Sequence, residues 1–252
     1  MKLVETEIVD RVAVMTLNDA GHRNALSLAM AEALRSELYA LEPSPEVGAV
    51  VLTGAPPAFS AGANLDELES ATPETLRRIY AGFLALVRFP LPTIAAVNGS
   101  AVGAGLNLAR ACDLRVAGRG ARFESRFTDL ALHPGGGHTW MLQRLLGQQG
   151  AAAMILCGEA LDGEAAVRHG LAWSCVDDDR LLAEASGLAA RAARAPRELV
   201  MKIKSTMRMV STASRHHDAV ARELKWQGWS LEQPAFRERV ARLKNRIAAA
   251  KK

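Results

Sequence analysis

The sequence predicts an α/β fold, one large domain or two small ones, with a helical C-terminal third. Three observations predict it. Short apolar runs bounded by glycine, proline or asparagine alternate with segments of helical composition about four times. Two of those runs, Gly48–Thr53 and Thr93–Val97, are rich in β-branched and small apolar residues and read as buried strands. From about residue 180 onward the strand pattern stops, and alanine- and arginine-rich helical segments take over.

Taken in order, Val4–Val9 and Arg11–Leu17 alternate partly and read as a β-hairpin around Asp10-Arg11. Asn18–Asn24 is a polar loop. Ser27 is an N-cap for a helix over Leu28–Leu41, with Leu34, Leu38 and Leu41 on one face. Pro43-Ser44-Pro45 ends it, and the Gly48–Thr53 strand closes at Gly54 and Pro56-Pro57. Residues 73–88 form an amphipathic helix leading through Phe89-Pro90-Leu91-Pro92 into the Thr93–Val97 strand. Leu114–Ala117 and Ala121–Phe123 are further short strands, and the pattern continues over Phe127–Leu132. His133-Pro134-Gly135-Gly136-Gly137 is a flexible turn. Helices follow from Trp140 to Leu146, within 158–171, and over 180–194, 196–211, 218–229 and 234–250. No linker and no repeat of sequence stands out.

The totals bound the function. The 252 residues are ample for a buried core, and 49% hydrophobic with 23% charged residues is ordinary for a globular protein. Met1–Asp10 carries Lys2, Glu5, Glu7 and Asp10, unlike a signal peptide, and no apolar run approaches membrane-spanning length. Cys112, Cys157 and Cys175 are odd in number and far apart, which argues for reduced thiols in a cytoplasm and against a zinc or disulfide framework. Residues 191–252 hold 16 Lys and Arg against 5 Asp and Glu, while the rest has a balance of −7. Such a basic end suits a phosphate-bearing ligand, nucleic acid or a solvated helical face; without aromatic interleaving, nucleic acid is disfavoured.

The stretch Pro92–Asp113 carries the strongest chemical signal. A buried strand, the turn Asn98-Gly99 and the small residues Gly103-Ala104-Gly105 lead into a helix from Leu106 to Cys112. The first N–H groups of a helix lack internal partners, and the helix dipole adds positive character there. Small residues let a ligand oxygen reach that backbone. Phe59-Ser60-Ala61-Gly62-Ala63-Asn64-Leu65 repeats the pattern: small residues after a strand and before a polar helix.

Together these two turns, one helix apart, resemble the enoyl-CoA hydratase/isomerase family, the crotonase superfamily. The likeness runs from about residue 4 to 245. It includes Arg23-Asn24-Ala25-Leu26, similar to the family's early coenzyme A segment, and Pro134-Gly135-Gly136-Gly137 followed by Gln143-Arg144-Leu145. The resemblance implies a crotonase-like spiral of ββα units over 1–195 and a helical C-terminal region over 196–252. It implies an acyl-CoA thioester as substrate or ligand, no permanently bound cofactor, no metal, and a homotrimer or dimer of trimers. The thioester carbonyl would sit between the backbone N–H groups of Ala63 and Ala104, with Arg23, Ala25, Ala61, Asn64 and Leu65 near the coenzyme A moiety. An enolate oxygen gains charge in the transition state, so fixed donors there are worth a few kcal/mol each, roughly.

The sequence departs from the family where hydratases carry two glutamates. Those positions are Asn107 and Phe127 here. An amide has no useful basicity and a phenyl ring neither binds nor moves a proton. The remaining candidates for acid–base work are Asp129 and His133, the latter close to the loop position, here Gly135, where related isomerases carry a carboxylate. Glu124 and His138 also lie nearby. Arg110, one turn after Asn107, reads as an arginine reaching out from its helix. Three functional readings follow: an acyl-CoA enzyme that is not a simple hydratase (isomerase, decarboxylase or thioester hydrolase), a non-catalytic acyl-CoA binding protein, and, more weakly, RNA binding by the basic helices.

Overall fold

Each winding of the backbone gives one strand to each of two sheets. The computed structural model describes residues 2–211 and 215–250. It opens with the antiparallel hairpin β1 (Val4–Val9) and β2 (Val12–Leu17). Asp10 and Arg11 take positive φ, 49° and 66°, the two-residue turn whose twist matches its strands. A 3-10 turn at Ala20–His22 precedes α1 (Leu28–Leu41), which starts where Ser27 Oγ accepts from the Met30 N–H at 3.1 Å. The first full winding is β3 (Ala49–Gly54), β4 (Ala58–Ser60), α2 (Leu65–Glu69) and α3 (Pro73–Arg88). Thr72 caps α3, and Pro73 occupies its first turn, where a missing N–H costs nothing. The second winding is β5 (Thr93–Val97), β6 (Ser100–Val102) and α4 (Ala104–Ala111). The third is β7 (Leu114–Gly118), β8 (Arg122–Glu124), a 3-10 turn at Thr128–Leu130, and α5 (His138–Leu156). The chain then adds β9 (Leu161–Asp162), α6 (Gly163–Arg168), β10 (Ser174–Val176) and α7 (Leu181–Ala193).

Among the described residues the larger sheet runs β1-β2-β3-β5-β7-β10 and the smaller β4-β6-β8-β9. The larger sheet is parallel from β2 onward, with Val51 beside Ile94 and Ala96 beside Val116. Val12, Ala49, Val51, Ile94, Ala96 and Val116 pack against Leu181, Ala185, Ala189 and Ala193 of α7. The intervening residues Val50, Leu52, Ala95 and Val97 are fully buried too. Both faces are covered, which is why β3 and β5 read as continuous apolar runs.

The structure corrects three expectations. The pattern read as continuing over Phe127–Leu132 is a 3-10 turn ending at Ala131, whose φ of 49° no strand tolerates. The helix expected from Leu106 begins at Ala104, because Gly103 with φ 49° and ψ −107° turns the chain in time. The helix seen from Trp140 starts at His138 and is interrupted at Gly147, φ 68°.

The backbone divides into two compact units, Met1–Ala193 and Arg194–Lys252. The second contains α8 (Arg197–Val210), α9 (His216–Glu232) and α10 (Pro234–Ala249). Within it the Lys202 ammonium lies over the rings of Trp226 and Trp229, 4.3 and 4.5 Å from their centroids, a cation–π pairing. No helix among the described residues is long and apolar enough to cross a membrane. Cys112 is buried and Cys157 exposed, and neither they nor Cys175 are in a disulfide.

Candidate active site

Two glycines bring the Ala63 loop against the start of α4. A Cβ on Gly62, whose φ is 100°, would stand 2.7 Å from the Val102 carbonyl oxygen and 3.8 Å from the Ala104 nitrogen. A Cβ on Gly105 would lie 2.4 Å from the Ser60 carbonyl oxygen. Neither approach is open to a larger residue. The Ala63 loop is clamped by Leu26, whose N–H donates to Gly62 O at 2.6 Å and whose carbonyl accepts from the Asn64 N–H at 3.2 Å. Those bonds use the amides on either side of Ala63. The Ala63 N–H itself has no protein acceptor among the described residues. Neither does the Ala104 N–H, which belongs to the first residue of α4. Ala63 and Ala104 line the same cavity, of about 120 Å³.

The cavity walls are mostly apolar, from Leu68, Leu76, Ile79, Phe127 and Leu132. Its polar lining comes from Tyr80, Asn107, Ser125, Arg126 and His133, and no aspartate or glutamate is among its lining residues. Burial pushes the Tyr80 phenol above its ordinary pKa, and the Gly136 amide at its oxygen opposes this.

Asn107 sits in a buried chain of hydrogen bonds. Its Nδ2 donates to Gly135 O at 3.0 Å, and its Oδ1 lies 2.7 Å from His138 Nδ1. The other imidazole nitrogen, Nε2, is 2.8 Å from Ser125 Oγ. Only 2% of Asn107, 1% of His138 and 2% of Ser125 is exposed. The direction of the chain is forced. A carbonyl only accepts, so Asn107 presents its NH₂ to Gly135 and its oxygen to His138. Nδ1 must then carry the imidazole proton, and Nε2 accepts from the Ser125 hydroxyl. Phe127 closes the imidazole off from water, its ring edge-on to His138 with centroids 4.8 Å apart. Burial lowers the His138 pKa from 6.5 to about 4, so the ring is neutral at ordinary pH.

The other candidates are spread around this core. His133 lines the cavity but is exposed, and its Nδ1 lies 2.8 Å from Pro134 O. The loop after it is not the flexible turn that three glycines suggest. A Cβ on Gly135 would meet the Tyr80 hydroxyl at 2.1 Å, and one on Gly136 the Phe83 ring at 2.4 Å, so both are wedged against α3. Asp129 stands apart from the cavity, exposed and ion-paired with Arg126 at 3.2 Å, and Arg126 also faces Glu124 at 3.5 Å. Asp129 lines an adjoining cleft with Ala25, Ala61, Asn64 and Leu65. Exposed Arg23 lines a further cleft with Ala61 and Arg126, and its carbonyl accepts from the Ala61 N–H at 2.9 Å. The Asn64 side chain caps α2 by accepting from the Glu67 N–H at 3.0 Å. Arg110 does not reach out as expected: it is partly buried, its Nε has no hydrogen-bond partner, and burial lowers its pKa to about 10. Ser125 was missed by sequence reasoning, and His138 was noted only as a neighbour of the glycines. Their separation along the chain, 13 residues from each other and 18 and 31 from Asn107, follows from the winding and matches no local motif.

Comparison with known proteins places the fold in a family. The sequence profile of the family described as enoyl-CoA hydratase/isomerase matches residues 7–245. The chain is 48% identical over 245 residues to a Mycobacterium tuberculosis protein named as a probable enoyl-CoA hydratase, EchA14, covering 93% of this chain and 94% of that one. It is 38% identical over 189 residues to the 2,3-dehydroadipyl-CoA hydratase of Escherichia coli K12, covering 73% of each. The crystal structure of an enoyl-CoA hydratase from Bacillus anthracis superposes with a TM-score of 0.91 at 28% identity, over 97% of this chain and 96% of that one. With a spiral of two interleaved sheets and two acceptor-free amides at one cavity, the chain belongs to the enoyl-CoA hydratase/isomerase family, the crotonase superfamily.

Proposed function

We propose that this protein acts on an acyl-CoA thioester whose carbonyl oxygen is held by the N–H groups of Ala63 and Ala104, and that it does not hydrate by a pair of carboxylates. One observation carries the reading: the cavity holds two backbone donors without protein acceptors and no carboxylate. Donors fixed by Gly62, Gly103 and the Leu26 clamp need no reorganisation as charge grows on the oxygen, which is where such stabilisation is largest. Asn107 and Phe127, at the family's glutamate positions, leave no carboxylate to activate water. Arg23, Ala25, Ala61, Asn64 and Leu65 lead from the cavity along the adjoining clefts and are the coenzyme A side of the site in this proposal.

The proposed assembly is a homotrimer or a pair of trimers. Its support is the second unit, where no residue of α9 or α10 is buried although Leu224, Leu231, Phe236, Leu243 and Ile247 are large and apolar. Three cysteines outside any disulfide suit a reducing cytoplasm.

The test uses crotonyl-CoA. Calorimetry is expected to show binding, and chromatography of the products is expected to show no 3-hydroxyacyl-CoA above background. A hydration rate in the ordinary enzyme range, roughly 1–10³ s⁻¹, would overturn the non-hydratase reading. Ala104→Pro removes one donor at a helix position that tolerates proline, and a folded variant that handles thioesters normally would overturn the cradle.

A further inference from the structure

We propose that Ser125 is the nucleophile of a thioester-hydrolysing activity, with His138 as its base and Asn107 orienting the base. The proposal rests on the thioester cradle described above.

The arrangement has the two hydrogen bonds of an activated serine, nucleophile to base and base to orienting group. The Ser125 Oγ–His138 Nε2 distance is 2.8 Å and the His138 Nδ1–Asn107 Oδ1 distance 2.7 Å. The forced direction of the chain leaves the Nε2 lone pair facing the serine hydroxyl, the tautomer a general base needs. Ser125 and Asn107 line the cavity while His138 stands behind them. The serine is therefore the group a substrate meets. The backbone of Ser125 also lies against the turn that carries one donor. The Gly103 N–H donates to Glu124 O at 2.9 Å, and a Cβ on Gly103 would lie 3.4 Å from Ser125 O. Ser125 thus adjoins the turn that presents the Ala104 N–H. Asn107 cannot supply acid–base chemistry of its own, but it holds a ring that can.

The step balances without a co-reactant other than water. Ser125 Oγ attacks the thioester carbonyl carbon as its proton passes to His138 Nε2. The carbonyl π pair moves onto the oxygen, facing the Ala63 and Ala104 N–H groups. Collapse breaks the C–S bond, and the departing coenzyme A thiolate takes the proton from Nε2. Water then attacks the acyl-serine, giving its proton to Nε2. The C–Oγ bond breaks, Oγ recovers that proton, and the carboxylic acid leaves. The sum is thioester plus water to acid plus thiol.

The small cavity sets the probes: acetyl-CoA, crotonyl-CoA and, for contrast, octanoyl-CoA. Binding is followed by calorimetry, thiol release by a chromogenic disulfide, and acyl-enzyme by intact mass after acid quench. The wild type is expected to bind and to release thiol, and to show an acyl mass increment that peptide mapping places on Ser125. Ser125→Ala is expected to bind equally, to lose the increment, and to release thiol about 100-fold more slowly or worse. His138→Gln is expected to lose turnover similarly. The wild-type kcat/KM is expected to hold level below pH 6 and fall only towards the His138 pKa of about 4, with circular dichroism at each pH showing that the fold persists. Binding without thiol release in the wild type, or undiminished release by Ser125→Ala, overturns the nucleophile and leaves the cradle standing. No binding of any of the three thioesters overturns both.

Discussion

At Phe127 a phenyl ring walls in an imidazole. The consequence reaches stability as well as chemistry. His138 titrates at about 4 in the folded protein, against about 6.5 in an unfolded chain. Between those values the unfolded chain binds a proton that the folded one refuses. The contribution is fully present above about pH 6.5 and is lost as pH falls through the window to about 4. From pH 7.5 to pH 4.5 it amounts to about 2–3 kcal/mol. Urea titrations should show His138→Gln losing less stability over that interval than the wild type, by about that amount. Equal losses would contradict the neutral, buried imidazole. The same residue shows why the site was only half legible. Asn107 and Phe127 could be placed because they fall inside family-like segments, as could Ala63 and Ala104. The Ser125–His138 pairing could not, because two residues 13 apart meet only when the β8 exit and the α5 start are wound onto α4.

At the scale of elements, legibility followed local chemistry. α1 and α3 have caps that act within four residues, Ser27 to Met30 and Thr72 to Thr75, and their bounds were readable. β4, β6 and β10 have three residues each, too few to show a period of two, and β6 also lies inside the glycine-rich stretch that drew attention as a turn. Those unread strands form or extend the second sheet and the larger sheet's edge, so the ββα winding came from resemblance rather than pattern. The turn between β4 and α2 is the element on which the cradle depends most. Gly62→Ala would put a methyl 2.7 Å from Val102 O in a backbone with φ 100°. We expect a loss of roughly 2–4 kcal/mol in thermal or urea unfolding, with weakened thioester binding. A loss below about 1 kcal/mol would mean that the loop has slack and the Ala63 N–H is not rigidly held.

For the whole molecule, the strand–helix alternation and the switch to helices near residue 180 were visible in the sequence, and so was the charge of the C-terminal third. What the charge serves was not visible, since a solvated helix and a phosphate-binding face have the same composition. The exposed apolar residues of α9 and α10 give the proposed assembly its own check: light scattering should return three or six times the chain mass, and a monomer at micromolar concentration would contradict it. All of this chemistry depends on where a thioester oxygen rests. A crystal structure of the Ser125→Ala protein with crotonyl-CoA tests it most directly. The carbonyl oxygen is expected at about 2.7–3.2 Å from both the Ala63 and Ala104 nitrogens, with the acyl chain running past Asn107 and Phe127. A carbonyl bound by other donors, or an acyl chain lying outside that cavity, would contradict it.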